Sequence, residues 1–174
     1  MLQIERIAPA DAAAALPELI ELLRDSVDGG ASVGFLPPLS EGEAHGYWAD
    51  ALAELANGQR VLLVARLDDR AVGTAQLGLA AKPNARHRAE VQKLLVHSRA
   101  RRMGIARALM TALEEQARRL GLTLLVLDTR QGDPSERLYA AHGYTLAGII
   151  PQYARNGDGG LDATVLYYKI LDQV

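Results

Sequence analysis

From Arg60 to Val96 the hydrophobic period of this chain is two almost without interruption, and no other feature narrows its possible folds so far. "RVLLVARL" (60–67), the turn Asp68-Asp69 and "AVGTAQLGLA" (71–80) read as a β-hairpin, and "RAEVQKLLV" (88–96), after the loop 82–87, reads as a further strand. On either side of this block the period changes. "LQIERIA" (2–8) alternates as a half-buried strand does. Pro9 and Asp11 then start a helical pattern through Leu16, Leu19, Ile20 and Leu23 that Gly29-Gly30 closes, and Pro17 inside it is expected to kink or restart the helix. A Gly/Pro/Ser loop (29–40) follows, and "SEGE" (40–43) is a capping box that opens a second helix ending near Asn57-Gly58.

Beyond the three strands, residues 104–120 form an amphipathic helix with Ile105, Leu109, Leu113, Ala117 and Leu120 on one face, ended by Gly121. "LTLLVLDT" (122–129) is nearly all apolar, as a strand buried on both faces would be. Asp133-Pro134-Ser135 caps a short helix through Leu138 and Tyr139, stopped by Gly143, and "YTLAGII" (144–150) and "DATVLYYKIL" (162–171) are the final strands. The order is strand, two helices, three strands, helix, strand, helix, two strands. It predicts one α/β domain with a mixed sheet, which 174 residues and a 49% hydrophobic content can support.

A net charge of −2 argues against a general nucleic-acid or membrane-surface binder, so any cationic function must be local. The chain contains no cysteine, which removes disulfides, thiolate nucleophiles and cysteine-type zinc sites. Its histidines, His45, His87, His97 and His142, lack metal-ligand spacing, so no metal is expected. The N-terminal segment has acidic residues breaking its apolar runs and no basic start, unlike a signal peptide, and no stretch has the length of an apolar membrane span. A soluble, cytoplasmic protein is the expectation.

The local cation stands in "HSRARRMGIA" (97–106), where a strand feeds a helix N-terminus through a single glycine. Such a junction points unpaired N–H groups and the positive end of the helix dipole at whatever lies there. Gly104, without a Cβ, lets backbone approach a ligand, Ala106 keeps the next turn small, and Arg101, Arg102 and Arg107 add charge-assisted bonds. The segment lacks the Lys-Ser/Thr ending of a P-loop and the three glycines of a dinucleotide fingerprint. A nucleic-acid patch fits poorly, because no aromatics interleave with the arginines. A pyrophosphate and a merely solvated helix start remain.

Arg101-Arg102-Met103-Gly104-Ile105-Ala106 resembles the pyrophosphate-loop pattern Q/R-x-x-G-x-G/A of the GCN5-related N-acetyltransferase (GNAT) family. Downstream, "ERLYAAHGY" (136–144) resembles the family's second signature, a helix carrying a Tyr followed by Gly and an aromatic. The element order is similar too, so the resemblance covers nearly the whole chain. It implies a mixed, mostly antiparallel sheet of about seven strands flanked by about four helices. A narrower resemblance, to the tabtoxin-resistance acetyltransferases, lies in "GGASVGF", "KPNARHRAEVQKLLV", "LDT" and "DATVLYYKIL".

The resemblance implies direct transfer of acetyl from acetyl-CoA to a primary amine of a small molecule, an amino-acid-like toxin or antibiotic being the class in view. Residues 101–107 would anchor the pyrophosphate, and Leu94, Leu95 and Val96 would offer a strand edge to the pantetheine amides. An amine of pKa near 10 is neutral in only about one molecule in a thousand at pH 7, so a carboxylate base helps. Glu90 and Asp128 are the candidates. Glu90 also reads as an exposed residue paired with Arg88 or Lys93, and Asp128 as a structural acceptor. Tyr139 matches the family's general acid for the leaving thiolate, and Ser135 would either bond the cofactor or cap its helix. Val33, Phe35 and Trp48 would wall the acceptor pocket, or simply pack under the loop. Glu114 and Glu115 read as the solvated face of the long helix. A protein or peptide Nα- or lysine acetyltransferase and a non-catalytic CoA-binding sensor are the alternatives. A homodimer with final strands paired across chains is a further expectation.

Overall fold

The computed structural model describes residues 1–172. Its elements are β1 (Leu2–Arg6), α1 (Ala12–Asp28), α2 (Glu41–Ala56), β2 (Arg60–Leu67), β3 (Arg70–Leu79), β4 (Arg88–Val96), α3 (Ile105–Arg119), β5 (Leu124–Arg130), α4 (Ser135–Ala141), β6 (Thr145–Arg155) and β7 (Leu161–Ile170). The strands form one seven-stranded sheet in the order β1-β2-β3-β4-β5-β7-β6. Every neighbouring pair is antiparallel except β4 and β5. This is the mixed sheet with four α-helices that the sequence predicts.

Period two explains the all-apolar look of β2. Val61, Leu63 and Ala65 enter a core under α3 with Leu109, Met110 and Leu113, while Leu62 and Val64 enter a second core under α1 and α2 with Leu19, Leu22 and Trp48. Each side chain goes to the opposite face from its neighbour, so a strand covered on both faces must be apolar throughout. The Asp68-Asp69 turn has φ of 49° and 65°, the left-handed pair that matches the twist of a two-residue hairpin.

At the start of α2 the Ser40 hydroxyl accepts from Glu43 N at 3.2 Å, and the Glu43 carboxylate accepts from Ser40 N at 3.0 Å, completing the capping box. Ser40→Ala should cost about 1 kcal/mol of stability, read as a lowered urea midpoint with unchanged slope. An unchanged midpoint would mean that the cap contributes nothing.

Four details differ from the sequence reading. Helix α1 runs unbroken through Pro17, because burial of Leu19, Leu22, Leu23 and Val27 outweighs one missing backbone bond. Leu120 is 43% exposed, at the cap position past the last helical turn. β5 is not buried on both faces: Leu125 and Leu127 are buried, but Asp128 is exposed where the strand leaves its neighbour. Glu114 is not solvated; it is 5% exposed and accepts from Lys169 Nζ at 2.7 Å, with His142 and Arg118 each 3.7 Å away. A buried carboxylate needs such partners, since desolvation would otherwise neutralise it. Lys169 also donates to His142 O and so ties β7 to the C-terminal end of α4.

Two irregularities position the site. β4 and β5 pair only through Arg88–Glu90 against Leu124–Val126, and beyond that the strands diverge. Opposite, β4 carries a bulge: Thr74 faces Leu95 and Gln76 faces Gln92, so Lys93 and Leu94 together oppose Ala75. Lys93 sits at φ 46°, a left-handed conformation uncommon for a residue with a side chain.

Candidate active site

The divergence of β4 and β5 opens a cleft of about 840 Å³ between the two strands, roofed by the loop after α1 and floored by α4. Glu90, Leu94, Leu95 and Val96 line it from β4, Asp128 from β5, Ser135 and Tyr139 from α4, and Val33 from the loop. Residues that lie far apart in sequence therefore meet in one space. Because β5 has left it, β4 from Val91 to Val96 presents one edge with no strand beside it.

One end of the cleft meets the N-terminus of α3, where Arg101 and Ala106 line it. Arg102 (φ 63°) and Gly104 (φ 77°) are both left-handed and curl the backbone ahead of the helix. The first intrahelical bond is donated by Ala108 to Gly104 O at 3.0 Å, so the amides of Ile105, Ala106 and Arg107 precede the helical ladder. A Cβ on Gly104 would meet nothing within 4 Å, so glycine is required there for its φ and not for space. Arg101 Nε donates to Val96 O at 3.3 Å, tying the loop to the open strand. Arg102, Met103 and Arg107 are exposed, and burial holds the His142 imidazole below its ordinary value, with the Lys169 and Arg107 charges pushing the same way.

The loop is also fastened from behind. Ser98 donates from its N–H (2.8 Å) and hydroxyl (2.6 Å) to the Asp25 carboxylate on α1. Partial burial pushes that carboxyl up, but the Ser98 bonds and the His97 and Arg101 charges outweigh it and hold the group below its ordinary value.

On the floor, Tyr139 is only 6% exposed and packs against Tyr144 and Tyr167 at centroid distances of 5.9 and 6.0 Å. Burial drives its phenol far above the ordinary value, the Asp133 and Asp128 carboxylates push the same way, and the Ser135 hydroxyl opposes them. The group is therefore a neutral O–H at any physiological pH. The Ser135 and Thr129 hydroxyls lie 2.7 Å apart, and Ser135 N donates to Asp133 Oδ1 at 2.9 Å, so Asp133 caps α4.

The two carboxylates differ in setting. Glu90 is exposed and accepts from Gln92 Nε2 at 3.0 Å, while Gln92 Oε1 accepts from Arg60 at 2.8 Å. Asp128 accepts from the buried Thr164 hydroxyl at 2.7 Å, which fixes the carboxylate's direction. Among the described residues Glu90 forms no ion pair with Arg88 or Lys93, and Arg130, the alternative partner for Asp128, pairs instead with Asp133 and Asp162.

Of the aromatics, Phe35 is half-buried and packs edge-on against Tyr47 at 5.7 Å. Trp48 departs from expectation: it is 0% exposed, deep in the core beneath α1 and α2, and does not wall the cleft. Adjacent helical residues point about 100° apart, so the turn that brings Tyr47 toward the sheet edge buries Trp48. Phe35 does not line the cleft either, so of the three expected wall residues only Val33 does. Two side chains missed by the sequence reading matter at this end: Lys93 lines the cleft and Tyr47 stands behind it. Tyr47 donates to Gln76 Oε1 at 3.1 Å, and the Lys93 ammonium lies 5.0 Å from the Tyr47 ring and 6.0 Å from Phe35. The bulge that delivers Lys93 leaves no glycine or proline in the sequence to announce it.

Among the described residues no helix is long and apolar enough to cross a membrane. Residues 27–144 match the model of the acetyltransferase (GNAT) family. The chain is 35% identical over 118 residues, 67% of its length and 68% of the relative's, to the uncharacterized N-acetyltransferase in the hisH-hisA intergenic region of Azospirillum brasilense. Its fold is similar to that of the ribosomal-protein-alanine N-acetyltransferase of Brucella melitensis, with 26% identity and a TM-score of 0.80 over 97% of this chain and 99% of that one. It is equally similar to the phosphinothricin acetyltransferase of Sinorhizobium meliloti in complex with acetyl-CoA, with 22% identity and a TM-score of 0.80 over 98% and 88% of the two chains.

Proposed function

Since the chain belongs to the acetyltransferase (GNAT) family, we propose that its cleft holds acetyl-CoA and directs the acetyl group straight to the primary amine of a small molecule, an amino-acid-like toxin or antibiotic. The reading includes a cytoplasmic location, and a homodimer in which the exposed edge strand β6, with Leu146, Ile149 and Tyr153, meets a second copy. The observation that carries it is the shared cleft: free amides at the α3 N-terminus, an unpaired strand edge and a neutral phenol all line one space.

Acetyl-CoA supplies the activated thioester; the remaining roles belong to this chain. The amides from Ile105 to Arg107, with Arg101, Arg102, Met103 and Gly104 shaping the loop, fit a pyrophosphate. The open edge of Leu94, Leu95 and Val96 fits the amide-bearing arm, which pairs with it as an added strand would. Ser135 borders the same path. Glu90 or Asp128 draws the proton from the acceptor ammonium, directly or through water, relieving a cost of about 4 kcal/mol at pH 7. Tyr139 then gives its proton to the departing sulfur, which leaves the cofactor as free thiol.

The Brucella neighbour acts on a protein by its name, and that favours a second reading with a polypeptide acceptor. Thiol release from acetyl-CoA, followed across a panel of small amines and N-terminal alanine peptides, separates the two. Small amines should turn over and peptides should not. Peptide turnover alone would replace the small-molecule reading, and no release with any acceptor would overturn both.

A further inference from the structure

Lys93 is a cation that the fold takes trouble to aim. Along β4, Ala89 and Val91 face the core under α3, and strict alternation would send Lys93 after them into that apolar layer. The extra residue of the bulge inverts the pattern: Lys93 joins Gln92 on the opposite face and Leu94 returns to the α3 side. The inversion requires a left-handed backbone at a residue bearing a long side chain, a strain that persists only where its surroundings enforce it. Bulges of this kind re-aim side chains beside active sites.

At its new position the ammonium lines the cleft and is flanked by the Phe35 and Tyr47 rings. Gly34, at φ 92°, passes so close that a Cβ there would stand 3.9 Å from Lys93 Nζ. Burial and the Arg60 charge disfavour the ammonium, while Glu90 on the same strand and Asp128 on β5 favour it. Arg60 itself is occupied with Glu54, Gln76 and Gln92. Among the described residues Lys93 Nζ has no hydrogen-bond acceptor and no carboxylate within 4.0 Å. The other cations of the cleft differ: Arg130 bonds Gly30 O at 3.1 Å and lies 3.6 Å from Asp133, and Arg101 belongs to the α3 end.

We infer that Lys93 receives a carboxylate of the acceptor, so that the molecule acetylated is a zwitterion whose ammonium faces Glu90 and Asp128 while its carboxylate faces Lys93. The inference rests on the reading of this cleft as the acceptor site. A purely cationic amine would meet the two carboxylates but lie against an uncompensated like charge. A zwitterion satisfies both signs and adds no net charge to a half-buried space.

The test compares the common α-amino acids with their amides as acceptors, by thiol release, for the wild type, Lys93→Met and Lys93→Arg. Methionine keeps the length of the side chain and removes its charge; arginine keeps the charge. The wild type should prefer acids over the matching amides by about tenfold in kcat/KM, as one charge-assisted bond implies. That preference should fall below about twofold in Lys93→Met and persist in Lys93→Arg, with melting temperatures confirming that all three are folded. Equal use of acids and amides by the wild type, or a preference that survives in Lys93→Met, overturns the inference. If no acceptor releases thiol, the transfer reading fails separately and calorimetric binding of the same acids to the CoA complex decides. Binding of acids that Lys93→Met abolishes sustains the inference, and its absence or insensitivity overturns it.

Discussion

Tyr139→Phe is expected to lower kcat for acetyl transfer by about a hundredfold, the low end of what a positioned proton donor contributes. The substitution removes one oxygen and keeps the ring that packs between Tyr144 and Tyr167, so the floor of the cleft stays in place. Acetyl-CoA binding should consequently remain within a few-fold of wild type. The direction of the phenol's shift adds a second signature. Because burial and the Asp133 and Asp128 carboxylates raise it, the donor stays protonated through alkaline pH, and the wild-type rate should show no fall from this group up to about pH 10. Stability follows the same sign. Below about pH 10 the phenol is neutral in both folded and unfolded chains and contributes no pH dependence; above it the unfolded chain ionises first and the fold weakens. That alkaline loss should be shallower in Tyr139→Phe. An unchanged kcat would remove Tyr139 from the chemistry.

Gly104→Val should weaken acetyl-CoA binding by about tenfold to a hundredfold, measured by calorimetry. The argument is conformational, since open space surrounds the position of the missing Cβ. A left-handed φ of 77° costs an ordinary residue about 1–2 kcal/mol and suits a β-branched one worst, so the loop must rebuild and re-aim the amides of Ile105 and Ala106. Single arginine truncations at Arg101 or Arg102 should cost less, because exposed charges contribute about 1 kcal/mol or below. Gly104→Asn separates backbone from bulk: asparagine tolerates the left-handed region and should bind nearly as the wild type does. Normal binding by Gly104→Val would show that this loop does not hold the pyrophosphate.

Local signals carried the architecture into the sequence, and long-range ones did not. Ser40 and Glu43 are three residues apart and make their own cap, so four letters were enough to place the start of α2. The Asp68-Asp69 turn and the Ile105, Leu109, Leu113 face were legible for the same reason, their partners being a few residues away or an undifferentiated core. Glu114 was not, because its partners Lys169 and His142 come from β7 and the end of α4, and charge spacing along one helix reads as a solvated face. Trp48 and Tyr47 are adjacent, and only the docking of α2 on the sheet decides which is buried. β6 extends to Arg155, beyond the apolar run that announces it, because pairing with β7 carries polar residues along. At the site, Tyr139, Glu90, Asp128 and the α3 loop were visible as residue types, and their meeting in one cleft depends on the divergence of two strands that share only a short pairing. The Lys93 bulge has no local signature at all.

That short pairing also decides what holds the two halves of the sheet together. Three residue pairs join the half-sheet β1–β4 to the half-sheet β5–β7 by backbone bonds, and beyond them the union passes to side chains, with Val61, Leu63 and Val91 sharing one core with Leu125, Leu127 and Val165 under α3. On the cleft side the backbone groups of β4 are left without that union. An extended ligand laid along Val91–Val96 would take the place of the missing ladder and stitch the sheet where its own strands part.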